Sequence, residues 1–354
     1  MVHFIENLKK IKLPFFTPLR VCFDIGTWTT RIGIPGKGVV LTDSTCAGLN
    51  TRSHEYIFFG NEAKSIIGKT PEFVKIIKPV VSGVISDFDT QVAFTKNCFD
   101  RSVAPYLKQY SFLKPSLEAV TAISHLSTEI EQKALAEVLN KVGFSHIYIL
   151  EKPMATAVGT GINIFSHRPH LIVDLGAGTV EISIISGGGI VVEKTLKSAG
   201  LTMNHLISNY IYLKYGLILG ETTCEILKIT LLNFNDENKT MMVRGKSLEN
   251  GLPKSIRIKS TEIKEAILNN LIQITDAIKE VIEIAPSEIV DEIYDNGIFL
   301  TGGGAQIPGL DRYLTSELKI QMIVLDDPIH TTINGLIKIC RNEEDLLRLS
   351  NPKI

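Results

Sequence analysis

The chain has 354 residues, 44% hydrophobic and 21% charged, the balance of a globular protein long enough for two domains with sizeable cores. A formal net charge of −1 offers no global field for polyanions, so no nucleic-acid partner is expected. Cys22, Cys46, Cys98, Cys224 and Cys340 form no C-x-x-C pair, which argues against a disulfide framework or a zinc site and for a reducing, cytoplasmic compartment.

In chain order, residues 1–13 place Phe4, Ile5, Leu8 and Ile11 on one helical face, with Asn7, Lys9, Lys10 and Lys12 largely on others. That is the pattern of an interfacial amphipathic helix, which Phe15 and Phe16 would seat more deeply. The alternatives are a segment packed on its own domain or one that buries an intersubunit contact. Pro14 and Pro18 break any secretory apolar run, and no run approaches the length of a membrane span.

Strand-like runs at 19–23, 39–42, 119–123, 146–150, 171–173, 181–185, 190–195 and 297–300 alternate with helical segments, which predicts α/β layering. Thr128 and Glu131 form a capping box for a helix with Ile130, Ala134, Leu135, Val138, Leu139 and Val142 on one face and Gly143 at its end. A longer helix spans about 262–284, its stripe of Ile263, Ala266, Ile267, Leu271, Ile274, Ile278, Val281 and Ile282 followed by Pro286. The polar stretch 233–254 reads as a peripheral hairpin, and Gly187-Gly188-Gly189 as a turn between two strands.

Three turns carry the chemistry. Asp24-Ile25-Gly26-Thr27 and Asp174-Leu175-Gly176-Ala177-Gly178-Thr179 each follow an apolar strand, the second beginning 150 residues after the first. Small residues allow backbone amides to approach phosphate, hydroxyls add donors, and each Asp suits a hydrated Mg²⁺. Leu300-Thr301-Gly302-Gly303-Gly304-Ala305 repeats the strand-then-glycine pattern. A nucleotide clamped between two related halves is the expectation.

These turns, together with 61–71, Ile77-Lys78-Pro79, 83–88, Pro153-Met154-Ala155-Thr156-Ala157, Gly251-Leu252-Pro253 and 297–304, resemble the MreB family of bacterial actins, within the actin, Hsp70 and sugar-kinase superfamily. The resemblance covers about residues 20 to 340. It implies an actin-like ATPase fold of two related halves, each with a central mixed sheet flanked by helices and a smaller subdomain, and ATP with Mg²⁺ in the cleft. The divisions expected are an N-terminal membrane-binding segment (1–18), a first half (19–160, small subdomain about 51–94), a second half (161–340, small subdomain about 201–259) and a tail (341–354).

By motif position, the resemblance gives Asp24 and Asp174 the Mg²⁺ water shell, Gly26, Thr27, Trp28 and Thr29 the first phosphate loop, and Gly176, Ala177, Gly178 and Thr179 the second. Glu225 and Lys228 would contact adenosine, although an i, i+3 pair is by default a solvated ion pair. Gly302, Gly303 and Gly304 would back the adenine. It further implies head-to-tail protofilaments that pair, a place on the inner face of the cell membrane, and membrane-embedded shape proteins as partners. Phe112 and Leu113 match the position of a membrane-inserting loop tip.

The pattern breaks at Glu151-Lys152-Pro153, where the family carries an acid that orients the attacking water. Lys152 puts a cation there, and an ammonium cannot act as base at neutral pH without a large shift. Slowed hydrolysis with retained ATP binding is therefore expected, with Glu151 an imperfect substitute because adjacent side chains of extended chain diverge. The alternative is a water-positioning group elsewhere in the cleft. Ala177, Val180, Leu201 and Trp28 are milder departures. Within the family, a specialised paralogue that co-polymerises with an active MreB or serves motility in a wall-less bacterium is the second reading. An Hsp70-like or sugar-kinase-like ATPase lacks, respectively, a following peptide-binding domain and a recognisable catalytic Asp.

Overall fold

The computed structural model describes residues 18–108, 115–235 and 237–350. The amphipathic segment at 1–16 and the Phe112-Leu113 tip lie outside the described residues.

The first half opens with a meander, β1 (Leu19–Ile25), β2 (Thr29–Ile34) and β3 (Gly38–Ser44), whose strands pair antiparallel. Next, β4 (Ala47–Asn50), β5 (Glu55–Phe59), α1 (Gly60–Ser65) and β6 (Val74–Ile77) build a small three-stranded subdomain, and the hairpin β7 (Val80–Val81) and β8 (Val84–Ile85) leads back. Helices α2 (Phe88–Ser102) and α3 (Ala104–Leu107) precede β9 (Leu117–Ile123), α4 (Glu129–Val142), β10 (His146–Glu151) and α5 (Lys152–Thr160). Sheet order is β10-β9-β1-β2-β3, with β9 parallel to both neighbours. Phe94 and Cys98 of α2 are buried with Phe23 and Leu139, so this helix belongs to the central layer rather than to the small subdomain that the boundary at 94 would give it.

The second half repeats the scheme. Strands β11 (His170–Leu175), β12 (Val180–Ser186) and β13 (Gly189–Leu196) form the meander. A peripheral subdomain follows, comprising α6 (Gly200–Tyr215), β14 (Leu217–Ile218), α7 (Glu221–Leu231), β15 (Thr240–Ser247) and β16 (Pro253–Lys259). Then α8 (Ser260–Ile284), α9 (Ser287–Asn296), β17 (Ile298–Thr301), α10 (Leu310–Leu318) and β18 (Met322–Val324) complete it. Sheet order β18-β17-β11-β12-β13 matches the first sheet strand for strand.

Local signals act as expected in most places. Thr128 Oγ1 accepts from Glu131 N while Glu131 Oε2 accepts from Thr128 N, and Gly143 closes α4 with φ of 116°. Ile130 is an exception: in the first turn of α4 it is 80% exposed, and the buried face of the helix begins at Leu135. The α8 stripe is core, with Ile263, Ile267, Leu271, Ile274, Ile278 and Val281 buried.

The last two helices cross over. Ile333, Leu336, Ile337 and Ile339 of α11 (Thr331–Ile339), with Leu346 of α12 (Glu343–Leu349), pack with Cys22, Val120 and Leu150 of the first sheet. Linear order assigned residues 331–340 to the second half and 341–354 to a tail; their apolar faces instead cover the first. Conversely, Met154 and Ala157 of α5 are buried with Ile172 and Ile185 of the second sheet. The crossing is close, because a Cβ on Gly335 would come within 1.7 Å of the Ala155 carbonyl oxygen and one on Gly159 within 1.9 Å of that of Thr331. These exchanged helices thus tie the halves together at the floor of the cleft.

Candidate functional site

The two phosphate turns face each other across a cavity of about 530 Å³, within the ~300–1,000 Å³ typical of ligand sites. All the candidate binding residues line it, and so does Lys152. Glu151 does not: it is half-exposed and hydrogen-bonded with His125 Nδ1 at 2.7 Å. Strand alternation at the end of β10 sends adjacent side chains opposite ways, so Glu151 is corrected from a catalytic candidate to a residue outside the cleft.

One turn is built twice. The amide of Gly26 donates to the Thr29 carbonyl at 3.2 Å, and that of Gly176 to the Thr179 carbonyl at 2.9 Å. A Cβ would meet those same carbonyl oxygens at 2.7 and 2.8 Å, which is why glycine stands at both places. The loops touch, since Gly178 lies where a Cβ would come within 2.2 Å of Thr27 Oγ1. Thr27 Oγ1 also accepts from the amide of Gly83, at the tip of the β7–β8 hairpin. No hydrogen bond among the described residues uses the amides of Thr27, Trp28, Ala177 or Gly178. Clustered unpaired amides of this kind are anion receptors.

Charge at this pole comes from five side chains. Asp24 faces Arg31 across the β1–β2 ladder, 3.2 Å from its Nη1. At the equivalent ladder position Asp174 faces Glu181. Lys152, the first residue of α5, reaches in from the other half, with Nζ 2.7 Å from Asp174 Oδ2 and 3.4 Å from Glu181 Oε2. Burial pulls the Lys152 ammonium down, but Asp174, Glu181 and Asp24 outweigh it and leave the lysine above its ordinary value. Burial pushes the Glu181 carboxyl up against the pull of Lys152. Behind them, burial and the charges of Glu181 and Glu151 push Glu193 up to about 7.

At the far end of the cavity, Lys228 Nζ is 2.9 Å from Glu225 Oε2 and donates to the Gly200 carbonyl at 2.8 Å. Both side chains are largely buried in the cavity wall, so the i, i+3 pair is not the solvated one of the default reading. Gly302, with φ of 81°, packs against Asp174 and the Leu175 carbonyl, and Gly303 faces open space. Above the cleft, Lys78 of the first small subdomain ion-pairs with Glu221 of the second, and the Nζ atoms of Lys64 and Lys78 each lie 4.9 Å from the Trp28 ring centroid.

The expected Mg²⁺ shell on Asp24 and Asp174 does not fit these residues as they stand. Each carboxylate already carries a cation, and Asp174 Oδ1 also accepts from Thr301 Oγ1 at 3.3 Å. No group of three or more His, Cys, Asp or Glu suited to a metal occurs among the described residues. Sequence reasoning missed Arg31, Glu181 and Glu193. The signal available for the first two was the spacing, since each stands seven residues after its turn aspartate.

The family model described as MreB/Mbl protein matches residues 19–348. The chain is 35% identical to the cell shape-determining protein Mbl of Bacillus subtilis over 314 residues, 88% of this chain and 92% of that one. It is 31% identical to the cell shape-determining protein MreB of Escherichia coli over 337 residues, 93% and 94% of the two chains. Among solved structures it is similar to MreB5 of Spiroplasma citri. Bound to ADP, that structure has a TM-score of 0.84 at 31% identity, covering 90% of this chain and 95% of the other. Bound to AMPPNP, it has a TM-score of 0.87 at 29% identity, covering 94% and 98%. With doubly repeated sheets, paired phosphate turns and a family match over nearly its whole length, the chain belongs to the MreB/Mbl family and has the actin-like fold.

Proposed function

We propose that this protein is an ATP-binding, filament-forming component of a bacterial cytoskeleton that determines cell shape, and that it hydrolyses ATP slowly. The observation that carries the reading is the Lys152–Asp174 ion pair at the meeting point of two phosphate turns. The relatives named for cell-shape determination, and the solved relative bound to ADP and AMPPNP, support it. Amides of the two turns and the Arg31 guanidinium hold the phosphates, while Glu225, Lys228 and the Gly302–Gly304 turn hold the nucleoside end. Where the family's acid would accept a hydrogen bond from the attacking water, Lys152 presents only donors. A positioned base is worth on the order of 10²–10⁴ in rate, so the bound triphosphate is long-lived.

Single-turnover hydrolysis tests the role of Lys152. Lys152→Glu is expected to accelerate hydrolysis by roughly 10²-fold or more, and equally fast rates in the native and variant proteins would sink the idea. Assembly into head-to-tail, paired protofilaments is tested by high-speed pelleting and electron microscopy with ATP, AMPPNP and ADP. Absence of polymer in all three counts against it. Binding to the inner face of the cell membrane rests on residues 1–16, Phe112 and Leu113. Liposome sedimentation with and without residues 1–13 measures it, equal binding arguing that the segment packs elsewhere.

Lys152 also favours a second reading, a specialised paralogue whose slow hydrolysis is complemented by co-polymerisation with an active MreB. Co-pelleting with such a partner at concentrations where neither pellets alone would distinguish the two. Contact with membrane-embedded shape proteins belongs to the first reading.

A further inference from the structure

We infer that Lys152 supplies from within the chain the positive charge that a divalent cation would otherwise bring to the phosphates, so that the cleft binds nucleoside triphosphate without a metal. The inference rests on the nucleotide reading above and deepens it, and the misfit of the aspartates with a hydrated metal is where it starts. Both oxygens of Asp174 are engaged, one by Lys152 Nζ at 2.7 Å and one by Thr301 Oγ1 at 3.3 Å. Asp24 is engaged by Arg31. A hydrated cation would have to replace two direct, charge-assisted contacts with water-mediated ones and would sit beside a permanent ammonium.

Lys152 has nowhere else to go. Its side chain is 20% exposed, and the residues that follow it, Pro153, Met154 and Ala155, are buried under the second sheet and α11. It stands at the N-terminal end of α5, where the helix dipole already favours anions, so ammonium and dipole act in one direction on a phosphate. An ammonium has three donors, and the close contact with Asp174 does not use them all, Glu181 lying farther off at 3.4 Å. Arg31 lines the same cavity, and its buried Nε has no hydrogen-bond partner. Arg31 and Lys152 thus bring two cations to the wall of the cavity that the turns bearing the free amides also line. Asp24, Asp174 and Glu181 against Arg31 and Lys152 leave one net negative charge, whereas an acid at 152 would leave three. Only the latter arrangement calls for an added divalent ion before a polyanion can enter.

The test is equilibrium binding of ATP to the full-length protein, by dialysis or Trp28 fluorescence, in excess MgCl₂ and in excess EDTA. The native protein is expected to keep its affinity within about threefold between the two solutions, and Lys152→Glu and Lys152→Ala to lose about tenfold or more in EDTA. A native protein that binds ATP in MgCl₂ and loses about tenfold or more in EDTA overturns the inference and leaves the nucleotide reading standing. Absence of binding in both solutions overturns the two together. The native comparison decides the matter even if neither variant folds.

Discussion

In the first half the strand partner of the turn aspartate is a cation, Arg31 opposite Asp24; in the second half the same ladder position holds an anion, Glu181 opposite Asp174. The backbones agree down to the glycine-to-threonine hydrogen bond that closes each turn. The turn geometry is therefore common to the two halves, while the charge around it is arranged differently. The first turn is balanced within its own hairpin. The second is offset in part by Lys152, carried on a helix that follows the first sheet, so that compensation is a contact between the halves. Removing Lys152 should thus disturb the joint between the halves as well as the site, whereas removing Arg31 should act on one sheet.

The largest effects should come where the two turns are the same. Gly26→Ala and Gly176→Ala each drive a methyl into a backbone carbonyl, and both should lower ATP affinity by about tenfold or more. Gly178→Ala should be worse, because it displaces Thr27 and with it the bond to Gly83. Isothermal titration would check the series; a clear difference between the Gly26 and Gly176 variants would break the equivalence of the turns.

A smaller, asymmetric effect should follow where they differ. Arg31→Leu strands the largely buried Asp24 carboxylate and should destabilise the fold by about 2–3 kcal/mol. Glu181→Gln removes a buried carboxylate whose Oε2 has no hydrogen bond, while Lys152 keeps Asp174, so the change should stay within about 1 kcal/mol. Urea unfolding measures both, and equal losses would mean that the two hairpins manage charge alike.

The repeated part of the molecule was legible because each meander opens with an apolar strand that runs into a turn whose chemistry tolerates few residues. Asp24, Gly26, Asp174, Gly176 and Gly178 stand out for that reason, and Lys152 stands out against them. What was not legible depends on register and on tertiary exchange. Arg31 and Glu193 look like ordinary polar residues on strands, since the sequence does not show which residue each one faces. Strands such as β7, β8 and β14 are two residues long and leave no periodicity to detect. Residues 331–349 find their place only once the first sheet is present to receive them, because adjacency in the chain sets 331–340 with the second half and 341–349 in a tail.

Glu193 offers a gentler test of the second turn's charge. Its carboxyl is pushed up to about 7 from an ordinary 4.5, chiefly by burial and next by Glu181. Between those values the folded protein holds a proton that the unfolded chain has released, so stability falls as pH rises through the window and levels off above it. Glu193→Gln removes this contribution. The native melting temperature, relative to that of the variant, should fall by roughly 2–4 °C between about pH 5 and about pH 8. A constant difference across that range would place Glu193 outside the cluster's electrostatics.

A weaker contact joins the halves above the cleft. Lys78 and Glu221 are each about one-third exposed, so breaking their ion pair should alter stability by less than about 1 kcal/mol. The pair nonetheless spans the mouth of the cleft between the small subdomains, and its loss should let bound nucleotide leave faster, by about two- to threefold in Lys78→Ala or Glu221→Ala. Trp28 reports the event directly, because the Lys78 ammonium lies over its ring. Lys64→Ala is the control: it removes the other cation from the same ring but bridges nothing across the cleft. Stopped-flow dissociation followed at Trp28 should separate the first two variants from the third, and a faster off-rate in Lys64→Ala would assign the effect to the indole's surroundings rather than to the span between the halves.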